Sequence, residues 1–149
     1  MPFLLTAVMA LGLTTASPVT TVGQSIQIDH NTGPLTANYH GNIKIDQKQI
    51  GTVAPSGRPS TLRCMWTASI AVTRDAKTAA GMILSRQFVR ENVASGSHSG
   101  WCSKNKTAIA ESVAKRTPDL ERHMTALVQE DRNILLADLD RLHSSARTM

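Results

Sequence analysis

Aromatic side chains are almost missing from this chain: of 149 residues only 3% are Phe, Trp or Tyr, and beyond residue 16 they are Tyr39, Trp66, Phe88 and Trp101 alone. A core must therefore be built from Val, Ile, Leu, Met and Ala. Stacking on nucleic-acid bases wants exposed aromatics among cations, and only Trp101, beside Ser103-Lys104-Asn105-Lys106, meets that description. Nucleic acid is not the expected partner. Cysteine is limited to Cys64 and Cys102, and residues 17–57 hold no cations but Lys44 and Lys48. Neither G-x-G-x-x-G nor a Walker loop occurs, so the usual phosphate cradles are missing. No internal repeat points to a solenoid.

What is present begins with an uncharged apolar run, Phe3 to Leu13, followed by Thr14, Thr15 and Ala16. The run is well short of the roughly 20 residues that span a bilayer as a helix, and small residues at 14 and 16 suit a signal peptidase. This reads as an export signal over 1–16, although Met1-Pro2-Phe3 supplies no Lys or Arg. Residues 17–149 then form a single secreted or periplasmic domain. No later run is long and apolar enough for a transmembrane segment, and no Cys follows the signal to take a lipid.

In an oxidising compartment an isolated cysteine pair is most simply a disulfide. Joining Cys64 to Cys102 closes a loop that, in the chain-entropy model, stabilises by roughly 4 kcal/mol, a large share for a thin core. The spacing does not fit a C-x-x-C redox or metal motif. The net charge of +5 gathers from Arg58 onward, and a basic balance of this kind favours an anionic envelope polymer or an acidic protein.

Short alternating bursts, Ile26 and Ile28, then Ile43 and Ile45, predict half-buried strands between Gln24 and Asp46. Asn31-Thr32-Gly33-Pro34 supplies the turn, and Tyr39-His40-Gly41 the place for a bulge. Ala54 to Ser60 is a loop by composition. The cleanest alternation places Leu62, Cys64, Trp66, Ala68, Ile70 and Val72 on one face, which predicts the central strand with Cys64 pointing inward. Asp75 caps an expected helix from about Ala76 that carries Ala80, Ile83, Leu84 and Phe88 and ends at Ser95-Gly96. Residues 95–105 form a polar loop pinned by Cys102, and a short helix follows over Lys106 to Lys115. Thr117-Pro118-Asp119 is the strongest helix start, a capping hydroxyl with Pro at the first turn. From it Leu120, Met124, Leu127, Val128, Leu135, Leu139 and Leu142 mark one long amphipathic helix, interrupted by Asp131.

Catalytic motifs fail on inspection. Gly96-Ser97-His98-Ser99-Gly100 has His where a nucleophile elbow needs Ser. Ser103-Lys104-Asn105-Lys106 fits S-x-x-K without the companion S-D-N or K-T-G elements. His98 with Cys102 and Cys64 is the nearest approach to a metal set, but a disulfide consumes both sulfurs, and His30, His40, His123 and His143 lack ligand spacing. Neither a metal nor a cofactor is expected.

The expected architecture is α+β, a small antiparallel sheet of three or four strands packed by a long C-terminal amphipathic helix and stapled by one disulfide. The expected function is an exported envelope binding or inhibitor module without catalytic activity, working through His98, Trp101, Lys104 and Lys106. Trp101 has two readings, an exposed anchor or a ring folded over the disulfide. The alternative function is a small secreted hydrolase whose Ser, His and Asp meet only in the fold, built on His98 or His40.

Overall fold

The computed structural model describes residues 21–148; the expected signal at 1–16 lies outside them. Four strands, β1 (Thr21–His30), β2 (Gly33–Ile50), β3 (Arg63–Lys77) and β4 (Ile83–Ser99), form an antiparallel sheet in the order of the sequence. A single 3-10 turn (Cys102–Lys104) leads into α1 (Lys106–Lys115) and then α2 (Thr117–Arg147). The fold is the expected α+β sheet under a long C-terminal helix. Among the described residues no helix is long and apolar enough to cross a membrane.

The helices cover one face of the sheet. That face carries Ile28, Leu35, Ala37, Tyr39, Cys64, Trp66, Ala68, Ile70 and Val72, which pack with Ile109 and Val113 of α1 and with Leu120, Met124, Val128, Leu135 and Leu139 of α2. β3 is interior and buries every second residue, as its alternation predicts. β1 and β2 join at His30↔Gly33, where Gly33 takes φ +118° at the expected turn. β1 reaches only to Asn42 along its partner, so β2 runs on from Ile43 to Ile50 against β3 alone among the described residues.

Four local expectations are corrected. Residues 83–99 are strand β4, not a helix capped by Asp75, which lies within β3 opposite Ser85. The inward positions of β4 include Arg86 and Arg90 as well as Leu84 and Phe88, so charge hides its alternation. The pinned loop shrinks to Gly100 and Trp101, because β4 continues through Ser99.

The bulge is not at Tyr39-His40-Gly41, where the register runs unbroken on both sides. It lies between Ala68↔Ala94 and Ile70↔Arg90, with Asn92 at φ 54°, a conformation Asn tolerates better than most residues. Gly41 serves close approach instead: a Cβ there would stand 3.0 Å from Ile70 Cγ2 and 3.3 Å from Met124 Sδ. Thr117 does not cap α2; its hydroxyl donates to the Ala114 carbonyl at 2.7 Å, and Arg116 takes the cap position without a side-chain bond.

Candidate functional site

The predicted loop is held rigidly. Cys64 and Cys102 form the disulfide, with Cys64 fully buried beside Trp66. Gln49 Nε2 donates to the carbonyls of Arg63 at 3.0 Å and Gly100 at 3.2 Å, while its Oε1 accepts the Cys102 N–H at 2.7 Å. Asn105 Nδ2 donates to the Ser99 carbonyl at 3.0 Å and to that of Trp101 at 2.9 Å. Two amide side chains and one covalent bond therefore fix the backbone on both sides of Trp101. Trp101 is 44% exposed.

Lys104 and Lys106 are exposed on the same tethered stretch. His98 stands apart from them: its Nε2 lies 3.2 Å from Ser112 Oγ, which donates to the Ala108 carbonyl at 2.9 Å. It is half-buried against α1 and fastens the end of β4 to that helix. Thus Trp101, Lys104 of the 3-10 turn and Lys106 at the start of α1 are all exposed, while His98 is engaged with α1.

Sequence reasoning missed the fasteners. Gln49 pairs with Cys64 in the ladder, so a polar residue on the covered face of a strand was the available signal. It also missed the surroundings of the loop. Residues 47–66 and 97–110 contain Lys48, Arg58, Arg63, Lys104 and Lys106 and neither Asp nor Glu.

Two coupled ionisable groups are clearly shifted elsewhere, Asp131 and Tyr39. Asp131, the interruption in the helical stripe, is 1% exposed. Its Oδ2 accepts from the Tyr39 hydroxyl at 2.8 Å and from Arg74 Nη1 at 2.9 Å, and its Oδ1 accepts from Arg86 Nη1. Burial pushes the Asp131 carboxyl upward, but the bonds from Arg74, Tyr39 and Arg86 outweigh it and hold the group below the ordinary carboxylate range. Burial, and then the bond to Asp131, push the Tyr39 phenol well above its ordinary value. Arg86 also lies over the Phe88 ring at 4.9 Å. Every donor here comes from the sheet and the acceptor from α2, so the cluster docks helix on sheet.

One imidazole does lie between a hydroxyl and a carboxylate. His30 Nδ1 is 2.8 Å from Thr32 Oγ1, and its Nε2 is 3.0 Å from Asp140 Oδ1. The Thr32 backbone N–H also donates to Nδ1 at 3.3 Å, which makes Nδ1 the acceptor and leaves the Nε2 proton for Asp140. Thr32, Met82, Leu139 and Leu142 line an apolar cleft of about 170 Å³ nearby. Neither His98 nor His40 has a carboxylate partner of this kind among the described residues. Among those residues no group of three or more His, Cys, Asp or Glu converges as a metal set would.

No protein-family model, no curated protein and no solved structure matches this chain.

Proposed function

We propose that this protein is an exported, non-catalytic binding module of the cell envelope that recognises an anionic partner, polymer or acidic protein, through the loop at Trp101. The observation that carries the reading is an exposed Trp101 on a backbone fixed by the disulfide, Gln49 and Asn105. Aromatic anchors supply much of the energy in binding surfaces, and ordering a side chain at an interface costs about 0.5–1.5 kcal/mol. A backbone fixed before contact lowers the accompanying cost of ordering the loop. The apolar run at Phe3 to Leu13 and the disulfide both support an exported location.

The test compares wild type, Trp101→Ala and Lys104→Ala with Lys106→Ala on immobilised acidic polysaccharide and polyphosphate over a salt series. Both variants should lose retention, the lysine pair chiefly at low salt. Retention equal to wild type in both, with an intact fold, would end the reading.

The hydrolase reading rests on Thr32, His30 and Asp140 rather than on His98 or His40. Because the Thr32 N–H shares Nδ1 with its hydroxyl, the arrangement also closes the β1–β2 turn and latches it to α2. Turnover of short-chain nitrophenyl esters that disappears in His30→Ala but persists in Trp101→Ala would favour the enzyme.

A further inference from the structure

The end of the molecule that holds the Trp101 loop also exposes apolar side chains. Ile50 is 38% exposed, Met65 41% and Val53 63%, alongside Trp101. These residues lie toward the same end of the sheet. Ile50 pairs with Arg63 and Lys48 with Met65 on the sheet face away from the helices. The loop carrying Val53 and Arg58 is closed by the Thr61 N–H on the Thr52 carbonyl at 3.2 Å, and the Gly100 N–H meets the Leu62 carbonyl at 2.9 Å.

A soluble polyanion would satisfy the cations and leave this apolar surface in water. A surface that is anionic on top and apolar beneath satisfies both. We propose that the partner is an anionic phospholipid surface, with Trp101, Ile50, Val53 and Met65 entering the interface while Lys48, Arg58, Arg63, Lys104 and Lys106 meet the headgroups. The proposal rests on the binding reading of this same loop and narrows its partner to lipid.

Charge complementarity decides which end docks. The opposite end exposes Met82, Ile83 and Leu142 too, but its charge is mixed, with Asp29, Asp138 and Asp140 set among Lys77, Arg141 and Arg74. The disulfide end carries five cations and no acid over the stretches named above. Tryptophan suits the headgroup level because its ring is apolar and its N–H polar, and basic residues are drawn to an anionic leaflet within a Debye length.

The experiment measures binding of the full chain to phosphatidylcholine vesicles with and without phosphatidylglycerol, including lipids with brominated acyl chains. Binding should require phosphatidylglycerol, weaken with salt, and bring quenching of tryptophan emission that Trp101→Phe abolishes, since Trp66 is buried. Losing both lysines in Lys104→Ala with Lys106→Ala should weaken partitioning roughly thirtyfold. Near-ultraviolet circular dichroism checks that each variant is folded.

Vesicle binding without quenching would overturn insertion while leaving an anionic partner standing. Binding to soluble polyphosphate but not to vesicles would do the same. Binding to none of these probes would overturn both the lipid proposal and the reading beneath it.

Discussion

The Tyr39 hydroxyl donates to Asp131 Oδ2 at 2.8 Å, a bond across 92 residues of sequence that ties β2 to the middle of α2. Arg74 bonds the same oxygen from β3 and Arg86 the other oxygen from β4. Three adjacent strands therefore converge on one helical carboxylate. Asp131→Asn should cost about 3–5 kcal/mol, because it removes the nearer counter-charge of the buried Arg74 guanidinium and leaves only Asp138 at 3.9 Å. Arg74→Met combined with Asp131→Leu should cost less than the sum of the two single changes. Urea unfolding midpoints check both.

The same network makes part of the stability depend on pH. With Asp131 held low, the unfolded chain takes up the proton first as pH falls, so its contribution is complete above about pH 4 and is lost through the native value below that. Tyr39 is raised, so its contribution is complete below about pH 10 and is lost as pH climbs towards the native value. Tyr39→Phe should remove the alkaline loss attributable to this residue, and Asp131→Leu the corresponding share of the acid loss. Stability measured by urea titration at each pH reads both slopes.

Glycine substitutions should rank by the space each position offers. A Cβ at Gly96 would sit 2.8 Å from the Trp66 indole, whereas at Gly23 the nearest atom is 3.9 Å away. Gly96→Ala should destabilise by about 1–3 kcal/mol through overpacking. Gly23→Ala should be neutral or stabilise by up to about 1 kcal/mol, since a strand glycine gives up more freedom on folding. Thermal melts of the two variants under one buffer make the comparison.

The end of the apolar stripe on α2 can be located by truncation. Leu135 is fully buried and Leu139 nearly so, while Leu142 is 42% exposed. Leu135→Ala should cost about 2–5 kcal/mol and Leu142→Ala less than about 0.5 kcal/mol. Equal losses at both positions in chemical denaturation would mean that the last turns of α2 pack more tightly than their exposure indicates.

How far the fold could be read from the chain depended on whether a buried position held an apolar residue. β3 was legible because Cys64, Trp66, Ala68, Ile70 and Val72 alternate without a break, and α2 because its leucines recur at helical spacing. β4 was not, because Arg86 and Arg90 occupy inward positions and reach Asp131 and Glu130 of α2. The leucine and isoleucine left over then fit a helical period by accident. Asp131 looked like an interruption for the same reason, since its partners lie on three distant strands. At the candidate site the exposed Trp101 and its lysines were legible, but the amide bonds of Gln49 and Asn105 depend on loop geometry that residue types alone do not carry.

Among the described residues the sheet is a ribbon of unequal width. Beyond Asn42 no described residue pairs with β2 on the β1 side, so among the described residues the end that bears Trp101 is one strand narrower. The Cys64–Cys102 bridge and the side-chain bonds of Gln49 lie along that narrowed end like a hem, replacing cloth with thread. Reduction would thus leave the broad end, with its buried Asp131, woven as before and let the narrow end fray first, blurring the loop's shape while most of the protein stays folded.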